Sequence, residues 1–187
     1  MIIDVHGHYT TAPAALGVWR DLQIASLNDP AKAPSASSLK ISDDQLRESI
    51  ELNQLKKMKE RGSDLTIFSP RASFMAHHIG DFQTSSTWAA ICNELCYRVS
   101  QLFPDHFVPA AMLPQSPGVD PSSCIPELEK CVEQYGNVGS ASVPVALDHI
   151  VKSGQVQPDD LLVLSAFGGG MSMGNCVIRW SEAGGAR

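Results

Sequence analysis

Three short apolar runs, Ile2-Ile3-Asp4-Val5, Leu65-Thr66-Ile67-Phe68 and Phe107 to Leu113, alternate with stretches whose apolar residues recur at helical spacing. A strand, a helix and a second strand pack most simply as a right-handed crossover, which makes the strands parallel. The helices carry their own punctuation. Ser42-Asp43-Asp44-Gln45 has capping-box spacing and opens a helix that runs to Arg61, where Gly62 stops it. A second helix is expected over 85–103, and a third from Pro121, capped by Asp120, to about Gln134. Residues 9–41, rich in Ala, Pro and Ser, read as a long loop lying over the carboxyl ends of the strands or along the surface.

Those carboxyl ends are where a parallel sheet gathers its chemistry. The first run ends in His6-Gly7-His8. Residues two apart on a strand project the same way, so two imidazoles are offered to one metal ion from a rigid support. The plain alternative is a polar strand-to-loop turn in which Gly7 supplies the bend; the strand leading directly into the pair favours the metal. The second run ends at Ser69-Pro70, so Arg71 emerges beside the histidines, and Gln115 falls at the third strand end. His77 and His78 are adjacent in sequence, cannot easily share an ion, and are assigned to a loop or a substrate contact. Cys92 and Cys96 lie on one apolar helical stripe with Trp88, Leu95 and Val99, which makes them core residues. His106 and His149 have no evident partner and read as structural or solvated.

Composition narrows the function further. Fourteen basic against twenty acidic residues give a net charge of −6 with no basic stripe, which argues against nucleic acid. Five cysteines without CxxC spacing argue against a disulfide framework and for reduced thiols. The amino terminus enters a strand at once, without the charged and apolar regions of a signal peptide, and no apolar run approaches about 18 residues. A cytoplasmic chain without a membrane partner is expected.

Beyond residue 139 the character changes. Residues 142–152 suit a helix, and Leu161 to Phe167 and Gly174 to Trp180 flank Gly168-Gly169-Gly170 as an antiparallel ribbon around a turn. The glycines lack the Lys-Ser/Thr and the following helix of a phosphate-binding loop.

Four stretches, Ile2-Ile3-Asp4-Val5-His6-Gly7-His8-Tyr9, Lys59-Glu60-Arg61-Gly62, Thr66-Ile67-Phe68-Ser69-Pro70-Arg71-Ala72-Ser73 and Met112-Leu113-Pro114-Gln115-Ser116-Pro117, carry a resemblance. Residues 1–139 resemble the metal-dependent amidohydrolase superfamily, and within it the 4-oxalomesaconate hydratases. The resemblance implies a (β/α)8 barrel, zinc held by His6 and His8, and Arg71 as a binder of substrate carboxylate. Residues from about 136 to 182, through Gly136-Asn137, Ser140 to Asp148, Leu161 to Gly170 and Gly174 to Trp180, resemble the carboxyl end of β-ketoacyl synthase III enzymes of the thiolase fold. There Asn137 maps onto the asparagine of a Cys-His-Asn set whose cysteine and histidine have no counterpart. Both patterns accommodate the segment around Tyr135-Gly136-Asn137, so a recombined, mis-joined or built chain is the simplest account.

A barrel of this kind takes about 250 residues; this chain has 187. The expected architecture is therefore α/β: repeated βα units forming an incomplete barrel-like parallel sheet over 1–139, then a helix and an antiparallel ribbon over 140–187. The expected function is a zinc-dependent hydro-lyase acting on a small tricarboxylate, with later ligands missing. A non-catalytic chain that covers its open sheet by forming a homo-oligomer is the alternative, and acyl-thioester binding through Asn137 a weaker one.

Overall fold

The computed structural model describes residues 2–71, 74–135, 147, 151, 154, 156–168 and 172–181. The chain divides into two compact units, Met1–Gly139 and Ser140–Arg187.

The first unit is built on a three-stranded parallel sheet of β1 (Ile3–His8), β2 (Leu65–Ser69) and β3 (Phe107–Pro109), in the order β1-β2-β3. The parallel pairing is the one the strand–helix alternation predicts. β2 is central, and Thr66, Ile67 and Phe68 are all buried, as befits a strand covered by neighbours on both sides. Thr66 and Phe68 face the helices: the Thr66 hydroxyl donates to Met58 Sδ at 3.2 Å, and the Phe68 ring packs against Tyr9 and Phe107.

The helix opening at Ser42 forms as its spacing predicts. Both capping-box bonds are present, Gln45 N–H to Ser42 Oγ at 3.2 Å and Ser42 N–H to Gln45 Oε1 at 2.9 Å. α2 (Asp43–Ser49) then widens into a π-type turn over Ile50–Leu55 before α3 (Lys56–Glu60) resumes the α-helix. The Ser49 carbonyl accepts from Asn53 Nδ2 and from the Thr11 hydroxyl, while Ser49 Oγ meets the Tyr9 hydroxyl at 2.6 Å. The irregular turn thereby ties down the segment that follows β1. Burial pushes the Tyr9 phenol up to about 12, with the Ser49 bond opposing the shift.

Three boundaries differ from the sequence reading. The stretch 9–41 is not loop throughout: α1 (Ala14–Ala25) buries Leu16, Trp19, Arg20 and Gln23, an i, i+3, i+4, i+7 stripe. Two of those four inward positions are polar, which hides the helical period from an apolar count. α4 (Phe82–Leu102) begins three residues before the expected start because Asp81 caps it, its carboxylate accepting from Thr84 N–H at 2.8 Å. β3 stops at Pro109; Ala110 N–H still donates to the Phe68 carbonyl of β2 at 2.8 Å, and further on Asn93 accepts from Met112 N–H at 2.7 Å and donates to Met112 O at 3.0 Å. The last helix starts as a 3₁₀ turn over Pro121–Cys124 with Asp120 accepting from Ser122 N–H, then continues as α5 (Ile125–Tyr135).

Trp88, stacked on Trp19 at 6.2 Å, sits with Cys92, Leu95, Cys96 and Val99 in the core, as the apolar stripe predicts. Burial raises both the Cys92 and Cys96 thiols far above their ordinary range, so they are packing groups.

In the second unit, β4 (Leu161–Gly168) and β5 (Ser172–Arg179) pair antiparallel, from Leu161 opposite Arg179 to Gly168 opposite Ser172. The expected ribbon is present. Of the helix expected over 142–152, Leu147 and Val151 are helical and the other positions lie outside the described residues, as do Asn137, His149, Gly169 and Gly170.

Candidate functional site

The histidine pair owes its geometry to an irregularity in β1. Asp4 pairs with Thr66, but Gly7 pairs with Phe68, so Val5 and His6 together face the single residue Ile67. This is a bulge, and it reverses the alternation of side chains downstream of it. With regular pairing His6 would fall opposite Phe68, on the helix-covered face. Instead His8 pairs with Ser69, on the opposite face to Phe68, and His6 swings to join it.

Two contacts hold the bulge. Asp4 Oδ1 accepts from the His6 backbone N–H at 3.0 Å. Gly7 lies so close to β2 that a Cβ there would overlap Thr66 Cγ2 and stand 2.9 Å from the Ile67 carbonyl oxygen. Glycine is thus required by close approach to the neighbouring strand and not simply by a bend.

The two Nε2 atoms come within 3.1 Å of each other, with ring centroids 4.5 Å apart and planes at 83°. Two imidazoles on one tetrahedral zinc, at bond lengths of about 2.0–2.1 Å, hold their nitrogens about 3.3 Å apart. The pair therefore fits a shared ion. Among the described residues no group of three or more His, Cys, Asp or Glu side chains is placed to hold a metal, and the Asp4 carboxylate is engaged with the backbone of the bulge.

His8 is half-buried. Its Nδ1 lies 2.6 Å from Ser69 Oγ and 3.1 Å from the Pro70 carbonyl oxygen, and Ser69 Oγ lies 3.0 Å from the Gly7 carbonyl oxygen. Burial is the main influence on its basicity and lowers it, against the Pro70 carbonyl, which raises it.

A cavity of about 200 Å³ on the helix-covered side of the sheet is lined by Gln54, Lys57, Met58, Arg61, Thr66 and Phe68 and borders β1 at Asp4, His6, Gly7 and His8. Arg71, at the carboxyl end of β2, lines a different one of about 180 Å³ with Tyr9, Phe74 and Trp88, and its guanidinium lies 4.5 Å from the Phe74 ring centroid. Strand order thus brings Arg71 to the same end of the sheet as the histidines but not into the cavity that borders β1. Gln115 is held by its backbone N–H, which donates to Ser85 Oγ at 3.1 Å, and His77 Nδ1 lies 3.2 Å from the same oxygen. Burial, then Arg20, then His78 lower the basicity of His77. Ser69 was not legible as a site residue: its place beside His8 depends on the register of β1 on β2.

The amino-terminal three quarters of the chain, which carries this pair, is homologous to hydratases. It is 52% identical over 139 residues to 2-keto-4-carboxy-3-hexenedioate hydratase of a Sphingobium species, a match covering 74% of this chain and 40% of the relative. The crystal structure of 4-oxalomesaconate hydratase from Rhodopseudomonas palustris matches at 73% identity with a TM-score of 0.68, over 73% of this chain and 40% of that one. Residues 127–180 match the family model for the carboxyl-terminal part of 3-oxoacyl-[acyl-carrier-protein] synthase III. The β-ketoacyl-[acyl-carrier-protein] synthase III of Desulfitobacterium hafniense is 39% identical over 67 residues, 36% of this chain and 19% of the relative. The chain thus spans about 40% of the length of the hydratases it matches and a smaller part of the synthases.

Proposed function

We propose that residues 1–139 form the metal-holding part of a hydro-lyase of the 4-oxalomesaconate hydratase type, joined to a synthase-like segment over 140–187. The observation that carries this reading is the approach of His6 Nε2 and His8 Nε2 to 3.1 Å at the end of β1, in a stretch homologous to such hydratases. In this proposal His6 and His8 hold zinc. When bound, that ion supplies Lewis acidity toward a carboxylate or carbonyl oxygen, or toward water.

The chain's own groups do the remaining work. Ser69 and the Pro70 carbonyl hold the His8 ring, and the bulge at Val5-His6 turns the pair to one face. Arg71 fixes one carboxylate of a 4-oxalomesaconate-like tricarboxylate by charge-assisted hydrogen bonds.

Metal analysis of the purified chain after zinc loading tests this. Zinc bound at up to one equivalent, removed by a mild chelator and abolished in His6→Ala, is expected, because two histidines supply half of a tetrahedral shell. Zinc content unaffected by His6→Ala would overturn the assignment. Hydration of 4-oxalomesaconate by the 187-residue chain is expected to be orders of magnitude slower than by a full-length hydratase, since groups that act as a unit lose most of their effect when one is missing.

A second reading, of a different class, rests on the open edges of the sheet. Among the described residues nothing pairs with the outer edge of β1 or of β3, and Ile2 is 60% exposed. Copies of the chain associating through these edges would cover them. Sedimentation that shows a monomer over a wide concentration range excludes it.

A further inference from the structure

We propose that Ser69 is a positioning residue that fixes the tautomer of His8, leaving Nε2 as the unprotonated nitrogen. The metal-binding consequence rests on the reading of His6 and His8 as ligands; the tautomer itself does not.

The argument is a count of protons. Three oxygens and one ring nitrogen meet at the carboxyl ends of β1 and β2. The Gly7 and Pro70 carbonyls can only accept. His8 Nδ1 stands 3.1 Å from the Pro70 oxygen, so a hydrogen bond there requires the proton on Nδ1. Ser69 Oγ is 3.0 Å from the Gly7 carbonyl and 3.4 Å from the Pro70 carbonyl, both acceptors only, and the shorter contact takes the hydroxyl proton. The hydroxyl's lone pairs then face His8 Nδ1 at 2.6 Å, where they also can only accept. All three oxygens therefore agree on one arrangement: Ser69 donates to Gly7 and accepts from His8, and His8 Nδ1–H is shared between Ser69 and Pro70. In a neutral ring the other nitrogen, Nε2, carries no proton. It is the atom 3.1 Å from His6 Nε2, and in the metal-free chain it accepts from the proton that His6 then carries there.

The arrangement couples three parts of the fold. Ser69 pairs with His8 across the parallel ladder, and only the one-residue bulge brings those two to the same register position. The Gly7 carbonyl that orients the hydroxyl belongs to the residue that has to be glycine for the strands to approach. Pro70, lacking an N–H, places no competing donor beside Ser69. A histidine ligand generally donates its second ring N–H to an oxygen that sets tautomer and ring angle, and losing such a partner costs roughly tenfold to a hundredfold in metal affinity. Because the Pro70 carbonyl survives any change at Ser69, the lower end of that range is expected.

The test uses the full chain and the isosteric pair Ser69→Thr and Ser69→Val, which differ by a hydroxyl against a methyl. Long-range 1H–15N correlation spectra of the metal-free proteins at one pH above neutrality report the tautomer of His8, assigned through His8→Gln. Wild type and Ser69→Thr are expected to show a single Nδ1–H tautomer, and Ser69→Val a measurable share of Nε2–H beside it, because only the longer contact to the Pro70 carbonyl then holds the Nδ1 proton. Zinc titration by calorimetry is expected to give a Kd about tenfold weaker for Ser69→Val and within about threefold of wild type for Ser69→Thr. A single, unchanged tautomer in Ser69→Val overturns the inference, as does an Nε2–H tautomer in wild type. If wild type binds no zinc but the tautomers separate as described, Ser69 keeps its positioning role and only the metal reading fails. Unchanged zinc affinity together with mixed tautomers would remove the link between positioning and metal while leaving both ends in place. Ser69→Ala, expected to resemble Ser69→Val, controls for the added bulk of the branched pair.

Discussion

Substituting Gly7 by alanine tests the strand geometry on which the histidine pair depends. The new Cβ would overlap Thr66 Cγ2 and stand 2.9 Å from the Ile67 carbonyl oxygen. Thr66 is buried, its hydroxyl is engaged with Met58 Sδ, and a β-branched side chain on a strand has little rotamer freedom with which to withdraw. The carbonyl belongs to the central strand and moves only if the sheet does. Overpacking of this kind costs about 1–3 kcal/mol, and the rigidity of both neighbours points to the upper end. Against it stands the entropy that alanine removes from the unfolded chain, about 0.4–1 kcal/mol. The net expectation is a loss of about 2 kcal/mol, which for a chain of this size lowers Tm by roughly 4–8 °C. Calorimetry or urea titration of the purified variant measures it. Thr66→Ser removes the methyl and should recover part of the loss in the double variant, while the clash with the carbonyl persists; the interaction energy follows from the cycle. Zinc affinity should fall as well, since a separated β1 no longer presents His6 and His8 together. Gly7→Ala with unchanged Tm and unchanged zinc affinity would refute both the close approach and the role assigned to the bulge.

The elements that were legible in the sequence are those whose signal is local. Ser42 and Gln45 cap their helix within four residues, the β4–β5 ribbon is bounded by its own turn residues, and the stripe from Trp88 to Val99 is apolar enough to show its period. α1 was not legible because Arg20 and Gln23 occupy half of its buried face; Arg20 Nη1 donates to Gln23 Oε1, and Gln23 Nε2 donates to the Thr84 carbonyl, a contact that only tertiary structure supplies. The histidine pair was legible as a spacing, but for a reason the structure amends. Alternation along a regular strand would put His6 and His8 on one face, the one that Phe68 and the helices occupy. The bulge opposite Ile67 carries them to the other. Register, and with it Ser69, lies in the pairing of two segments some sixty residues apart, and no local pattern records it. Arg71 shows the same limit from the other side. Its position in the chain correctly indicates the end of β2, but which cavity its guanidinium enters is decided by Phe74 and by α1, not by Ser69-Pro70.

Thiol chemistry should divide the cysteines by burial: among the described residues Cys176 is exposed and Cys124 partly so, and these are expected to react with an aromatic disulfide reagent in the native chain while Cys92, Cys96 and Cys131 react only in denaturant. Rapid labelling of all five without denaturant would contradict the core described for α4. Ser42→Ala should cost about 1 kcal/mol by removing one side of the capping box, read as a lower urea midpoint at constant slope. The last expectation concerns pH. Burial is the main cause that lowers the basicity of His77, with Arg20 and then His78 adding to it, so the folded chain resists protonating this ring more than the unfolded chain does. The unfolded state then binds more protons in the window just below the ordinary histidine value of about 6.5, and stability must rise with pH there. The sign is that of a depressed group: the contribution is complete above about pH 6.5 and is lost as pH falls through the folded value. Comparing wild type with His77→Gln isolates it, because glutamine can keep a hydrogen bond to Ser85 Oγ without titrating. The difference in Tm between the two is expected to be constant above pH 7 and to shift in favour of His77→Gln as pH drops from 6.5 to 5. A difference that stays flat across that range, or that moves in favour of wild type, would show that His77 is not held neutral between α4 and the cation of Arg20.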